Sequence, residues 1–224
     1  SPEMRRDLSP EPRAILFDWD NTLVDTWGVI HESMNVTLKH MGRDQWTIEE
    51  TKKSVRKALR EAFPDLFGDR WEEARDVFYK RFHAIHLERL EMKTGASDLL
   101  EFLVKKQIFL GVVSNKSGCS LRSEVNYLGW SRYFRSLVGA SDAARDKPAR
   151  DPVDLALRSS EVNAGREVWF VGDTDVDIQC AHISGCVPIL ISELSSEERG
   201  PTDFRPEMTF TNLEGFMALV SRRL

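Results

Sequence analysis

The stretch AILFDWDNTLVDT, residues 14–26, drives four apolar or small residues straight into two carboxylates, Asp18 and Asp20, one residue apart. The apolar run has the length of a strand, and Asp20-Asn21-Thr22 carry turn chemistry. On an extended chain residues two apart share a side, so both carboxylates face one way and Trp19 the other. The plain reading is a strand that ends in a turn with local Asp and Asn hydrogen bonds. The alternative is a ligand site, because open parallel sheets bind ligands beyond the carboxyl ends of their strands.

Further strand-like runs occur at 108–114, 135–139, 167–172, 187–191 and 207–211. Amphipathic stretches at 97–106, 119–128, 152–161, 175–184 and 212–222 alternate with them. Strands alternating with helices of about ten residues imply parallel βαβ units. The expected class is α/β, a Rossmann-like doubly wound parallel sheet with helices on both faces. Residues 25–93 break this rhythm. They show helical patterns at 27–41, 47–62 and 69–91, with FPDLFGD at 63–69 punctuating the last two, and no strand-like run. The expected organisation is therefore a core of 1–24 and 94–224, with 25–93 inserted after the first strand as an all-helical subdomain.

The 224 residues are 41% hydrophobic and 30% charged, enough for a sizeable core. A formal net charge of −5 argues against a nucleic-acid binder, which usually shows a basic face. Cys119, Cys180 and Cys186 form no C-x-x-C pair and suggest free thiols in a reducing compartment. The apolar run IFLGVV at 108–113 is too short to span a bilayer. The segment SPEMRRDLSPEPRA has no apolar core for a secretion signal, so a soluble cytoplasmic protein is expected. The five histidines lack metal-ligand companions at useful spacing, and the six tryptophans read mostly as packing.

Three other places carry chemistry. In GVVSNKSG, 111–118, a strand ends in Ser114 and Asn115, where a hydroxyl and backbone N–H groups can hold a phosphate oxygen or simply cap the next helix. In DKPARDP, 146–152, Lys147 is the last lysine of the chain; a solvated surface lysine is the plain alternative. In VWFVGDTDVDIQCAHISGC, 168–186, a strand meets Gly172, then Asp173, Asp175 and Asp177. Acids at a helix start favour its positive end, which explains one carboxylate better than three. Clustered oxygen ligands suit magnesium, which takes one or two carboxylates plus water and substrate phosphate.

Taken together, DWDNTL, SN after a strand, KP in a loop and GDTDVD resemble, in order, the motifs of the haloacid dehalogenase (HAD) superfamily of phosphotransferases and hydrolases. The resemblance runs from Ala14 to the C-terminus, and the helical insert matches the cap many members carry. TGASDLLEFLVKKQIFLGVVSNK is similar to the return to the core in the branch that includes phosphoglycolate phosphatases. The resemblance implies a magnesium-dependent phosphatase for a small phosphorylated metabolite. Asp18 would be the nucleophile, and Asp20 the general acid–base. Asp18, Asp20 through its carbonyl, and Asp173 would bind Mg2+, with Asp177 supporting the metal or orienting Lys147. Thr22, Ser114, Asn115 and Lys147 would hold the phosphate.

Two departures stand out: Asn21 replaces the family's usual Gly, and the second proline of the lysine loop falls at Pro152. A phosphomutase or a 2-haloacid dehalogenase of the same superfamily is an alternative; the dehalogenase needs no acid two residues after its nucleophile. A non-catalytic phosphate-binding module is another, though receiver-type modules are shorter and lack such an insert.

Overall fold

The computed structural model describes residues 9–55 and 59–224, and the chain divides into two compact units. One is Asp25–Glu91; the other joins the described residues up to Val24 to Met92–Leu224. The strands are β1 Ala14–Phe17, β2 Val24–Asp25, β3 Glu91–Met92, β4 Phe109–Ser117, β5 Ser136–Ala140, β6 Val168–Gly172, β7 Val187–Ile191 and β8 Met208–Phe210. Six of them form one sheet in the order β5-β4-β1-β6-β7-β8, parallel throughout, while β2 and β3 make a separate two-stranded ribbon. The larger unit's helices are α5 Ala96–Lys105, α6 Gly118–Tyr127, α7 Asp151–Leu157, α8 Asp175–Ser184, α9 Ser196–Arg199 and α10 Leu213–Arg223; those before them, α1 to α4, belong to the smaller unit.

β1 is wholly buried because strands flank it on both edges and helices cover both faces, so it reads as a continuous apolar run. Its register pairs Leu16 with Phe170 and Ile15 with Trp169. Leu16 and Phe170 face a cluster with Val153, Ala156 and Leu157 of α7 and Cys180 and Ala181 of α8. Trp169 lies on the opposite face, its ring 6.2 Å from Phe216 of α10. The α/β doubly wound parallel sheet expected from sequence is the one found.

The register also builds the site. Phe17 pairs with Val112 of β4 and Val171 of β6, so the residues that follow these three positions emerge at one end of the sheet. Asp18 follows β1, Ser114 and Asn115 lie toward the end of β4, and Asp173 follows β6. Asp18 still donates its N–H to the Val171 carbonyl at 2.8 Å, which fixes its backbone to the sheet. After Asp20 the chain turns on Asn21, whose φ of 60° is left-handed. Asn tolerates that region better than most residues, so it can stand where glycine is usual.

The helical unit differs from its sequence pattern. It contains α1 Trp27–His40, α2 Ile48–Ser54, α3 Leu59–Phe67 and α4 Trp71–Ile85, with a 3-10 turn at Gly68–Arg70. The pattern 47–62 is thus two helices, with residues 56–58 outside those described. Helix α3 runs through the expected break at 63–67, with Pro64 inside it. An interior proline costs about 3 kcal/mol. Burying Phe63 and Phe67, at about 1.5–3 kcal/mol each, offsets that. Phe63 also meets Phe78 edge-on at 5.4 Å. Helix α4 stops at Ile85, short of residue 91, because Glu91–Met92 extends to pair with β2. In the larger unit, α7 ends at Leu157 and not at 161. There the Ser160 hydroxyl donates to the Leu157 carbonyl at 2.7 Å and accepts from Val162 N–H at 3.0 Å, a local alternative to the helical ladder. α9 lies within 192–207, which reads as a solvated loop; the Ser195 hydroxyl caps it by accepting from Glu198 N–H. No described helix is long and apolar enough to cross a membrane.

Gly172 is required because Asp177 packs directly against its backbone. A Cβ there would lie 2.3 Å from Asp177 Oδ2 and 2.4 Å from its Cβ. Gly172→Ala is therefore expected to destabilise the protein by about 1–3 kcal/mol through overpacking. Urea unfolding measures this; an unchanged midpoint would mean that Asp177 does not pack against this glycine.

Candidate active site

Asp18, Asp173 and Asp177 each bring a carboxylate oxygen to within 4.8 Å of the others. Asp18 comes from the end of β1, Asp173 from the end of β6 and Asp177 from the first turn of α8. The Lys147 ammonium lies between two of them, 3.0 Å from Asp18 Oδ1 and 2.6 Å from Asp177 Oδ1. This lysine is buried, not a solvated surface residue. Asp177 is fully buried, and its second oxygen accepts from the backbone N–H groups of Asp173 and Thr174 and from the Thr174 hydroxyl. One carboxylate therefore both caps α8 and grips Lys147.

The Lys147 loop is tied to β4 by a reciprocal pair: Asn115 Nδ2 donates to the Lys147 carbonyl, and Lys147 N–H donates to Asn115 Oδ1, both at 3.0 Å. Thr22 donates its hydroxyl to Asp173 Oδ1 at 3.1 Å. Ser114 is buried, and its Oγ accepts from Lys116 N–H at 3.0 Å. The structure thus brings Asp18, Thr22, Lys147, Asp173 and Asp177 into one bonded group, with Asn115 joined through the loop. The Asp20 carboxylate stands outside the acid triad, bonded to Lys116 Nζ at 2.8 Å. Asp175, the remaining acid of that motif, is exposed at the start of α8.

Three carboxylates against one ammonium leave two negative charges in excess, in a buried place. Burial pushes the Asp173 carboxyl up to about 7, with the Asp177 charge adding to it. Burial, then Asp177, also holds Asp18 well above the carboxylate range despite Lys147, and Asp18 and Asp173 hydrogen-bond to each other. Lys147 goes the other way. Burial works against its charge, but Asp177 and Asp18 outweigh that and keep it firmly an ammonium. Facing acids that burial holds above their usual range, in an all-oxygen donor set, mark a position a hard divalent cation fits.

The family model described as haloacid dehalogenase-like hydrolase matches residues 15–191. The chain belongs to that family. A phosphoglycolate phosphatase of Aquifex aeolicus is 30% identical over 176 residues, 77% of this chain and 81% of that one. A pyrophosphatase PpaX of Listeria welshimeri is 25% identical over 212 residues, covering 92% and 95%. Among solved structures, a HAD-superfamily hydrolase from Ehrlichia chaffeensis is 29% identical with a TM-score of 0.65, over 95% of this chain and 97% of that one.

In this HAD hydrolase, sequence patterns passed over two residues beside the site, Lys116 and Glu124. The Lys116 ammonium bonds Asp20 and both oxygens of Glu124, which is fully buried on α6. Glu124 also accepts from Trp19 Nε1 at 2.9 Å. Trp19 is buried against Trp130 and Phe134, so it packs in the core and does not line the site. The one available signal was Glu124 falling in phase with Leu121 and Val125 on the inward face of α6.

The raised carboxyl of Asp173 sets a stability trend for the metal-free HAD hydrolase. Its pKa lies above the unfolded value near 3.8. The stability it contributes is therefore complete below that value and disappears as pH rises through about 7. In chelator, urea unfolding at pH 8 should show roughly 2 kcal/mol less stability than at pH 5.5 from this group. Asp173→Asn should flatten that slope; an unchanged slope would remove Asp173 as its source.

Proposed function

We propose that this protein is a magnesium-dependent phosphatase that hydrolyses a small organic phosphomonoester through an aspartyl-phosphate on Asp18. The observation that carries the reading is the triad of buried Asp18 and Asp177 and half-buried Asp173, with Lys147 fixed between two of its members. Relatives named phosphoglycolate phosphatase support a phosphoglycolate-like ester as the leading substrate.

Asp18, Asp173 and the Asp20 carbonyl would hold the magnesium, which supplies positive charge to draw two anions together. Asp177 has both oxygens engaged by protein donors, so its role is to orient Lys147. A carboxylate attacks a phosphate dianion poorly because both are negative; the Lys147 ammonium beside Asp18 lowers that repulsion and stabilises the equatorial oxygens. Asp18 forms the new bond to phosphorus as the ester oxygen leaves. Asp20 gives that oxygen a proton, then takes one from the water that hydrolyses the intermediate, so two easier displacements replace one. The Ser114 hydroxyl and the N–H groups near Asn115 hold the phosphate, whereas the Asn115 side chain holds the lysine loop and Thr22 braces Asp173. The smaller unit, Asp25–Glu91, would be the cap that selects the leaving group.

A phosphoanhydride substrate is a second reading, favoured by relatives named pyrophosphatase, one of which aligns with 92% of this chain. Phosphate release from 2-phosphoglycolate, other small monoesters and inorganic pyrophosphate, with and without magnesium, tests both. Chelation should stop turnover and magnesium restore it, with calcium a poor substitute because it prefers more and longer ligand bonds. Full activity in excess chelator would remove the metal.

Asp18→Asn keeps the shape and removes the nucleophile, so activity should fall on the order of 10³-fold or more in a folded protein. Near-normal turnover would exclude the covalent route. Asp20→Asn should cost about 10²–10⁴-fold on an alkyl phosphate. A nitrophenyl ester, whose leaving group needs little protonation, should still phosphorylate Asp18 in a burst. Equal losses on the two esters, with no burst, would take Asp20 out of the acid–base role.

A further inference from the structure

We propose that Lys116, held by the buried Glu124, is a positioning residue that fixes the Asp20 carboxylate for proton transfer. This rests on the acid–base role given to Asp20 above. An ammonium has three donors, and three carboxylate oxygens lie 2.8 Å from Lys116 Nζ: Asp20 Oδ1, Glu124 Oε1 and Glu124 Oε2. The lysine side chain is 7% exposed and Glu124 0%, so water does not compete for these bonds as it would at the surface.

Glu124 holds the same short segment twice. It grips Lys116, which grips Asp20, and it accepts from the indole of Trp19, the residue before Asp20. The indole is itself held edge-on by Trp130 at 5.8 Å and Phe134 at 6.3 Å. A chain of contacts therefore runs from a rigid aromatic cluster to the carboxylate. Asp20 needs such a hold, because it stands at the start of a turn with its side chain 29% exposed. Proton transfer requires the carboxylate within about 2.6–3.2 Å of the ester oxygen and later of the water. A misplacement of roughly 1 Å can cost about 10²-fold in rate.

A buried lysine–glutamate pair is a poor device for stability, since desolvating both charges opposes their attraction and apolar replacements often serve as well. Its placement is better explained by the orientation it imposes on Asp20. The effect is geometric: removal of Lys116 leaves Asp20 present but without this hold on its carboxylate.

The test uses Lys116→Met/Glu124→Gln. It removes both buried charges together and keeps a side-chain acceptor for Trp19 Nε1. Urea unfolding checks the fold, and kinetics with magnesium compare 2-phosphoglycolate with p-nitrophenyl phosphate. The expected result is a kcat on 2-phosphoglycolate lower by on the order of 10²-fold, with KM changed little. The first-turnover burst on p-nitrophenyl phosphate should change only slightly. Equal losses on both esters, or no loss on either, would overturn the proposal, because a purely structural role does not distinguish leaving groups. If the double variant does not fold, Lys116→Arg takes over. It keeps a cation against Glu124 but presents a planar fork in place of a point charge. The same split between esters is expected, and its absence would overturn the proposal. Wild-type protein inert on every phosphate ester would instead overturn the phosphatase reading, and this inference with it.

Discussion

The Lys147 ammonium, held between Asp18 and Asp177, is the contact on which the rest of this structure depends. It joins the end of β1, the start of α8 and the loop before α7. Without it, three carboxylates, two of them buried, would face one another with no cation to offset their repulsion. Breaking a buried pair by removing one partner typically costs about 3–5 kcal/mol, because the charge left behind is uncompensated. The surrounding contacts serve to hold that cation in place. Asn115 clamps its loop to β4, Gly172 leaves room for Asp177, and the N-terminus of α8 draws the Asp177 carboxylate inward.

That arrangement also explains why the acid cluster fits a cation. One ammonium offsets one of three negative charges, and burial penalises the remainder, so Asp173 and Asp18 hold protons more tightly than free carboxyls do. The same excess charge that destabilises this cluster at high pH would favour a divalent ion there, as the proposed function requires. Stability at this end of the central strands and readiness for chemistry are opposed here, as expected where pKa values are strongly perturbed in a clustered site.

The network of Trp19, Glu124, Lys116 and Asp20 is separate from the triad and differently built. The alternation of the chain sends Asp18 and Asp20 one way and Trp19 the other, so the indole can anchor this network in the core. Lys116 reaches Asp20 from the neighbouring strand, and Glu124 reaches both Lys116 and the indole from α6. Two carboxylates two residues apart thereby acquire different cations and different surroundings, which suits the separate roles of nucleophile and acid–base proposed for them.

Much of this was legible in the chain itself. Apolar runs ending in Asp18, Ser114 and Asp173, alternating with amphipathic helices, determined a parallel sheet, because buried central strands must be continuously apolar and parallel neighbours need crossovers. Asn21 in place of Gly was readable as tolerable, since only a few residues accept a positive φ there. Local punctuation was less faithful. Pro64 marks a break by rule, yet α3 continues through it, because burying Phe63 and Phe67 outweighs one lost helical bond. Tertiary structure alone decided the partners. Asp177 was readable as a helix cap or a lysine anchor, and only the folded chain shows that its two oxygens do both. Nothing in the local sequence singled out Lys116 or Glu124. Their roles depend on strand register and helix phase across 96 and 105 residues of chain. Spacing within one segment carries no record of such separations, because a side chain's partner is chosen by packing in three dimensions.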